Sequence, residues 1–280
     1  MGKFDGVLLI SDFDDTLVRT SVSIQSGQGM PEIPAYNIQR IRDFIAAGGR
    51  FALVTGRVWQ AFRHFYPMIP TNAPCGTGNG AAIIDPATGD NLFLHPLPDS
   101  IGAVMADLER LHLTCACELY RADNGSDVIR PNDLTRNHAH ISRYTFREIT
   151  RFEESRPPFL KALFEGQPEE LQALRQYMVA QSWYTDYEAF FSSDTLLELI
   201  ARGANKGTMV VKLAQLCGVS LEHTYCIGDN ANDLPMLEQA RIAFAPSNAI
   251  PVVRESGAVV LGDCMEGAVG QAVDYLEKLY

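Results

Sequence analysis

A short apolar run that ends in closely spaced carboxylates is the feature that most constrains the fold. Residues 7–10 (VLLI) have the length and composition of a buried strand, and residues 12–16 (DFDDT) follow almost directly. Ligands of open α/β sheets bind at the carboxyl ends of the strands, and side chains two residues apart in an extended segment project to the same side. Asp12 and Asp14 can therefore face one site.

Such a carboxylate pair suits phosphoryl chemistry. One carboxylate can attack a phosphorus atom as a covalent nucleophile, while the other protonates the leaving oxygen and later deprotonates water. Residues 12–16 taken alone also fit an acidic turn, because Asp favours turns and helix N-caps. Other segments must decide between these two interpretations.

Apolar runs of strand length alternate with amphipathic helical segments in both terminal parts of the chain. This alternation predicts an α/β fold with a Rossmann-like parallel sheet. Ile38, Ile41 and Ile45 mark one helix face, and residues 17–34 are predicted to form a polar loop or hairpin. The other predicted strands are 51–54, 81–84, 224–227 and 242–244, and the other predicted helices are 58–66, 206–216, 234–240 and 268–279.

The pattern changes in the middle of the chain, where prolines interrupt short apolar runs and candidate helices. A chain of 280 residues is long for one hydrophobic core, so two domains are expected. We assign residues 1–84 and 201–280 to a Rossmann-like core and residues 85–200 to an inserted α+β domain. The clearest elements predicted in the insert are helices 102–113 and 168–181 and strands 159–164 and 196–200.

The acidic composition limits the classes of partner. The formal net charge is −11 and the pI is about 5.0, whereas binding to nucleic acid or an anionic membrane calls for a basic patch. No apolar stretch approaches the roughly 20 residues of a membrane span, and the N-terminal run is too short for a signal peptide. We expect a cytoplasmic protein, monomeric or homodimeric, that binds neither nucleic acid nor membrane. The acidic composition does not exclude a small anionic substrate, because a bound divalent cation can reverse the charge of a local site.

The cysteines do not form a metal-binding pattern. Cys115 and Cys117 are close in sequence but lack the second pair of ligands that a zinc site shows. We therefore expect buried or half-buried thiols at all six positions, which are Cys75, Cys115, Cys117, Cys217, Cys226 and Cys264.

Further polar groups follow other predicted strands or begin a helix. Thr55 follows residues 51–54 and offers a hydroxyl to a phosphoryl oxygen, although it could simply cap the next helix. Lys206 could neutralise a phosphoryl group or a carboxylate, although an exposed lysine in the first turn of a helix is usually just solvated. A lysine in the first turn of a helix opposes the helix dipole, which favours a role beyond helix stability.

Residues 228–233 (GDNAND) place two more carboxylates after a strand. Magnesium prefers oxygen ligands and usually keeps several waters and a phosphate oxygen. Asp12, the backbone carbonyl of Asp14 and Asp229 would suit it, with Asp233 in a supporting position and Asn232 near the phosphate or a water. An Asx-rich turn at the start of a helix is the alternative.

The motifs together resemble those of the haloacid dehalogenase (HAD) superfamily. The four ordered motifs are residues 12–17 (DFDDTL), 54–57 (VTGR), 205–207 (NKG) and 228–237 (GDNANDLPML). The insert between the second and third motifs, together with Asn79, resembles the Cof-like branch with a type IIB cap. The turn at residues 247–249 is similar as well.

The resemblance implies a function and a role for each matching residue. It implies a magnesium-dependent phosphatase that hydrolyses a small phosphomonoester, such as a sugar phosphate, through an aspartyl-phosphate. Asp12 would be the nucleophile and Asp14 the general acid and base, with Thr55 and Lys206 stabilising the phosphate. The metal residues would be Asp12, Asp14, Asp229 and Asp233, and the phosphate or substrate contacts would be Thr16, Gly56, Arg57, Asn79 and Asn232.

Rival functions stay open at this point. Asp14 argues against a dehalogenase, which needs no acid there, but a phosphomutase would carry the same motifs. A receiver-type signalling domain would not need an insert of more than 100 residues, and a binding protein without turnover would not need both Asp12 and Asp14. One departure from the branch is Asp15, where glycine is common. The cap, rather than any motif, is expected to select the substrate.

Overall fold

The structure is a computed structural model in which residues 2–21 and 32–280 are described. Most of the loop or hairpin predicted for residues 17–34 lies outside these ranges. The strands, numbered in chain order, are β1 (Leu8–Ser11), β2 (Arg50–Leu53), β3 (Cys75–Thr77), β4 (Ala82–Ile84), β5 (Asn91–Leu94), β6 (Ala116–Arg121), β7 (Ser126–Ile129), β8 (Arg147–Ile149), β9 (Phe159–Glu165), β10 (Tyr187–Ser193), β11 (Leu196–Ala201), β12 (Thr224–Ile227), β13 (Ile242–Ala245) and β14 (Val259–Val260). The helices are α1 (Ala35–Ala46), α2 (Trp59–Phe62), α3 (Ile101–Glu109), α4 (Asp133–Ile141), α5 (Pro168–Val179), α6 (Lys206–Cys217), α7 (Leu234–Glu238), α8 (Pro251–Arg254) and α9 (Ala268–Leu279).

Five parallel strands form the sheet that carries the predicted motifs, in the order β14-β13-β12-β1-β2. Every residue of β1 and of β12 is buried, which explains why both read as continuous apolar runs rather than alternating ones. The parallel sheet with intervening helices confirms the predicted α/β fold. Because these strands are parallel, their carboxyl ends meet at one edge of the sheet.

The helices beside this sheet pack closely at two places. Arg40 of α1 forms ion pairs with Asp274 and Glu277 of α9. At the start of α6, a Cβ on Gly207 would lie 2.4 Å from the carbonyl oxygen of Pro235 in α7. Glycine is therefore required there for α6 to approach α7, and this contact fixes the position of the neighbouring Lys206.

The chain divides into two compact units. The first comprises Met1–Gly56, Phe65–Asp90 and Asn205–Tyr280, and the second comprises Arg57–His64 and Asn91–Ala204. The assignment of residues 85–200 to one inserted domain stays a prediction.

The second unit contains a six-stranded sheet in the order β10-β11-β9-β6-β7-β8, antiparallel except for the β7–β8 pair. Alternate residues of its central strands form an apolar face that packs with buried residues of α3 and α5. The opposite face carries charged and polar side chains that are also buried, namely Glu118, Tyr120, Lys161, Glu165 and Glu198.

Several predicted elements differ from the structure. The helix predicted for residues 58–66 spans only Trp59–Phe62, and a 3₁₀ turn at Tyr66–Met68 follows. Pro67 lies in that turn and disfavours helical geometry at the residue before it. The strands β6, β7, β8 and β10 and the helix α4 were not predicted, because their apolar residues are interrupted by polar ones.

The cysteine prediction is confirmed. All six thiols are free; five are buried and Cys217 is half-buried. Within residues 2–21 and 32–280, no helix is both long and apolar enough to span a membrane.

Candidate active site

The backbone beyond β1 places the motif residues at one sheet edge. The Asp12 N–H donates to the Ile227 carbonyl at 3.0 Å, and the Val54 N–H donates to the Ser11 carbonyl at 2.9 Å. The chain therefore keeps its pairing with β12 on one side and with β2 on the other as β1 ends. Asp12, Thr55 and Asp229 consequently emerge from neighbouring strands at the same edge.

Three carboxylates come together at this edge. Asp12, Asp229 and Asp233 each offer an oxygen within 4.8 Å of the others, and all three residues are buried. Lys206, only 1% exposed, places its Nζ 2.8 Å from Asp12 Oδ1 and 2.6 Å from Asp233 Oδ1. The structure therefore brings four of the predicted site residues together in one cluster.

The position of Lys206 follows from how α6 begins. The Asn205 side chain caps the helix by accepting the Thr208 N–H at 2.9 Å, so Lys206 occupies the first turn. A positive charge is unfavourable there because of the helix dipole. The two carboxylates that contact Lys206 offset that cost.

Asp233 organises the loop that follows β12. Its Oδ2 accepts the backbone N–H groups of Asp229 and Asn230, both at 2.9 Å, while its Oδ1 binds Lys206. A Cβ on Gly228 would lie 2.5 Å from the Asp233 Cβ, so the loop needs glycine to pass over this side chain. These contacts hold the loop in place, and the supporting role of Asp233 at a metal stays a prediction.

The cluster holds more negative than positive charge. Burial raises the pKa of Asp12 well above its usual range, and repulsion from Asp233 adds to the shift. Burial and repulsion from Asp233 likewise raise the pKa of Asp229 to about 8, although a 2.7 Å hydrogen bond from the Thr16 hydroxyl acts in the opposite direction. Burial alone would lower the pKa of Lys206, but attraction to Asp12 and Asp233 raises it instead.

This donor set fits a hard divalent cation. The three carboxylates supply oxygen ligands, and one lysine does not balance their charge. The contribution predicted for Asp14, its backbone carbonyl, stays a prediction.

The Asp14 side chain has its own support. It is half-buried, and its Oδ1 accepts a hydrogen bond from the Thr20 hydroxyl at 2.7 Å. Thr20 was missed by sequence reasoning. The sequence offered only a weak indication of this contact. Thr20 is a threonine six residues after Asp14, in a loop without the periodicity of a helix or a strand.

Asp15 has a structural explanation. Its φ is +54°, in the left-handed region that favours glycine and tolerates Asp. Its Oδ1 accepts hydrogen bonds from the Thr20 N–H and from the backbone and hydroxyl of Ser21, and its carbonyl oxygen accepts from the Asn248 side chain at 2.7 Å. The aspartate therefore stabilises a turn that glycine would form by conformational freedom alone.

A second group of predicted residues forms a connected set at the same edge. The Thr55 N–H donates to Gly76, and the Asn79 N–H donates to the Thr55 carbonyl at 3.3 Å. The Asn232 side chain donates to Asn79 Oδ1 at 2.9 Å. A Cβ on Gly56 would lie 3.0 Å from the Asn79 amide, so glycine permits this approach.

Arg57 differs from the other predicted site residues. It belongs to the second compact unit, where its Nη1 lies 3.5 Å from the Ser142 hydroxyl. The predicted contact of Arg57 with substrate stays a prediction.

Comparisons with known proteins agree with the motifs. A sequence model of the family described as haloacid dehalogenase-like hydrolase matches residues 9–273. The pyridoxal phosphate phosphatase YbhA of Escherichia coli is 24% identical over 234 residues, which cover 81% of this chain and 86% of that protein.

Solved structures share the fold. A haloacid dehalogenase-like hydrolase from Bacteroides thetaiotaomicron aligns with a TM-score of 0.82 at 21% identity, over 98% of this chain and 100% of the other. A sugar phosphatase of HAD subclass IIB aligns with a TM-score of 0.77 at 19% identity, over 97% and 99% of the two chains.

The family match confirms the predicted resemblance to the HAD superfamily. The fold is shared with a structure of HAD subclass IIB. The family match extends over nearly the whole chain and includes all four motifs. The chain belongs to the haloacid dehalogenase-like hydrolase family.

Proposed function

We propose that this protein is a magnesium-dependent phosphatase that hydrolyses a small phosphomonoester through an aspartyl-phosphate. The observation that carries the proposal is the position of Asp12 directly after β1, at the carboxyl edge of the parallel sheet. There it lies 2.8 Å from Lys206 and within 4.8 Å of the other two clustered carboxylates. A buried nucleophile with a fixed counter-charge is what in-line phosphoryl transfer needs from a protein.

In the first step, a carboxylate oxygen of Asp12 attacks the phosphorus atom. A bond forms between that oxygen and phosphorus while the ester bond to the leaving group breaks, and Asp14 donates a proton to the leaving oxygen. Lys206 holds Asp12 Oδ1 and so orients the attacking carboxylate. Thr20 holds Asp14 in the same way through its hydroxyl.

In the second step, Asp14 accepts a proton from a water molecule, which attacks the phosphorus atom of the aspartyl-phosphate. The bond to Asp12 breaks, and inorganic phosphate and the free carboxylate are released. When bound by Asp12, Asp229 and the Asp14 carbonyl, Mg²⁺ supplies positive charge that offsets the phosphate and the clustered carboxylates. Thr55, with Thr16, Gly56, Asn79 and Asn232 around it, is proposed to complete the phosphate site.

The substrate class is a small phosphorylated metabolite. Of the similar proteins described above, one is named for pyridoxal phosphate and another for sugar phosphates. Both are phosphomonoesters of small molecules, which supports this class without choosing a member of it. The monomeric or homodimeric state and the cytoplasmic location stay predictions.

An activity assay with covalent trapping tests the proposal. We expect phosphate release from p-nitrophenyl phosphate and from at least one compound in a panel of sugar phosphates and pyridoxal phosphate. Release should require added Mg²⁺ and stop on chelation. After acid quenching and digestion, mass spectrometry should find a phosphoryl group on the peptide that contains Asp12, and Asp12→Asn should lack it.

Three results would argue against the proposal or against one of its steps. No release from any compound, with tight phosphate-ester binding, would indicate a binding protein. Trapped phosphate that moves to a second sugar hydroxyl rather than to water would indicate a phosphomutase. Release without any modified Asp12 peptide would remove the aspartyl-phosphate step.

A further inference from the structure

A second group of potential metal ligands lies in the second compact unit. Glu118 of β6, His138 of α4 and Glu165 at the end of β9 each offer a ligand atom within 4.8 Å of the others. All three residues belong to the segment Asn91–Ala204, so this group is separate in sequence from the carboxylates of the candidate active site. None of the four motifs includes any of them.

The two glutamates are fully buried, whereas the histidine reaches solvent. Glu118 and Glu165 have no exposed surface, while the His138 side chain is 30% exposed. His138 Nδ1 lies 3.0 Å from Glu165 Oε1 and 4.0 Å from Glu118 Oε2. The histidine side of the group therefore offers a path for an ion to enter from water.

The carboxylates are held in place by neutral donors. Glu118 Oε2 accepts hydrogen bonds from the Tyr120 hydroxyl at 2.9 Å and from the Tyr144 hydroxyl at 2.8 Å, and its Oε1 accepts from the Ser126 hydroxyl. Hydroxyl donors of this kind orient a carboxylate without neutralising it. The arrangement is fixed before any ion binds.

The charge of the group is not balanced by protein side chains. Within the described ranges, His138 is the one basic side chain in ion-pair contact with either glutamate. The nearby Lys161 of β9 pairs instead with Glu198 at 2.8 Å. With both glutamates ionised, even a protonated histidine leaves one negative charge in excess, and a buried excess charge is costly.

One buried atom is left without a partner. Glu165 Oε2 has no hydrogen-bond partner, although the residue is fully buried. Buried polar atoms are nearly always paired, so this unpaired oxygen, on the carboxylate whose other oxygen contacts His138, points to a partner that the described protein atoms do not supply.

We propose that Glu118, His138 and Glu165 bind a divalent transition-metal cation, for which Zn²⁺ is the natural probe. An imidazole nitrogen with two carboxylates suits Zn²⁺, Mn²⁺ or Co²⁺, whereas Mg²⁺ prefers an all-oxygen set. The cation would join α4 to the two central strands β6 and β9. Its expected effect is on the stability of the second unit, and it is independent of the proposed phosphatase chemistry.

Metal binding by the full-length protein tests the proposal. Chelator-treated protein is dialysed against ZnCl2 with excess MgCl2, which occupies the candidate active site, and bound zinc is measured by mass spectrometry. We expect about one equivalent in the unmodified protein and a loss of that equivalent in His138→Gln and Glu165→Gln. His140→Gln is the matched control, because His140 is exposed on the same helix outside the group and should keep the zinc.

Two further readouts separate binding from a structural effect. CoCl2 should produce visible absorption typical of low-coordinate Co²⁺ with a nitrogen ligand, and His138→Gln should lose it. Saturating Zn²⁺ should raise the Tm of the unmodified protein by about 5 °C or more, and should leave the Tm of His138→Gln unchanged.

Equal zinc binding by the unmodified protein and His138→Gln would overturn the proposal. An absence of bound zinc in the unmodified protein would overturn it as well. A raised Tm of metal-free Glu165→Gln would then indicate that the two glutamates share a proton instead of a metal. If Glu165→Gln does not fold, zinc binding by His138→Gln is the deciding measurement, because the His138 side chain is partly exposed.

Discussion

The hydroxyl of Thr20 donates a 2.7 Å hydrogen bond to Asp14 Oδ1. Thr20 is almost fully buried, and its own backbone N–H is held by Asp15 at 3.0 Å. The donor therefore has a fixed position, and it fixes the orientation of the proposed general acid and base.

Thr20→Val should lower kcat more than it changes KM. The variant keeps the shape of the side chain but removes the hydrogen bond, and a hydrogen bond to a charged group contributes about 1.5–3 kcal/mol. We expect kcat to fall about tenfold or more if most of that contribution acts in the transition state. Thr20→Ser retains a hydroxyl and should keep most of the activity. A normal kcat in Thr20→Val would show that Asp14 needs no support from this residue.

Asp12→Asn should abolish turnover without loss of stability. The amide cannot attack phosphorus, yet Lys206 keeps its 2.6 Å contact with Asp233. Burial and repulsion from Asp233 raise the pKa of Asp12, so the ionised carboxylate is unfavourable in the metal-free folded state. Urea unfolding in metal-free buffer should therefore give a free energy of unfolding equal to or above that of the unmodified protein. A clear drop would show that the Asp12 charge stabilises the fold.

Two elements have the predicted bounds, the buried strand β12 and the amphipathic helix α9. β12 was predictable because every residue of TYCI is buried and the run is continuous. β6 (ACELYR) escaped prediction although its first five residues are also buried. Glu118 and Tyr120 occupy its second face, and their partners Ser126 and Tyr144 come from other segments. No local pattern reveals such a pairing.

The same distinction between local patterns and contacts that depend on the fold applies to the candidate site. Asp12, Lys206 and Asp229 were predictable because each sits at a strand end or a helix start, where the fold class alone determines the location. Thr20 lies in a loop, so its contact with Asp14 depends on backbone angles that begin at the positive φ of Asp15. Loop contacts of this kind require the structure.

Stability of the metal-free protein should fall as pH rises from about 5 to about 8. Burial raises the pKa of Asp229 to about 8 in the folded state, against an ordinary value near 3.8 in the unfolded chain. Between these values the folded protein binds a proton that the unfolded chain does not, so a rise in pH favours unfolding. The contribution is fully present below the unfolded pKa and is lost once pH passes the folded one.

Thermal unfolding at several pH values, with EDTA and with MgCl2, measures this effect. Asp229→Asn should flatten the slope in EDTA, because the amide does not titrate. Saturating MgCl2 should flatten it in the unmodified protein, because a bound cation favours the ionised carboxylate. An equal slope in Asp229→Asn and the unmodified protein would assign the pH dependence to other groups.

Gly207→Ala should reduce both stability and activity, because its Cβ has no room. That atom would lie 2.4 Å from the Pro235 carbonyl oxygen, a backbone atom that can move only if α7 moves away from α6. Overpacking of this kind costs about 1–3 kcal/mol, and the shift would displace the adjacent Lys206 from Asp12 and Asp233. Gly102→Ala is the matched control, since Gly102 also lies in the first turn of a helix but its Cβ would meet nothing closer than 3.6 Å. There the added methyl should raise stability by up to about 1 kcal/mol. Urea unfolding and phosphatase assays on both variants would separate the effect of the close helix contact from the general effect of alanine. Equal changes in stability and activity in the two variants would refute the prediction.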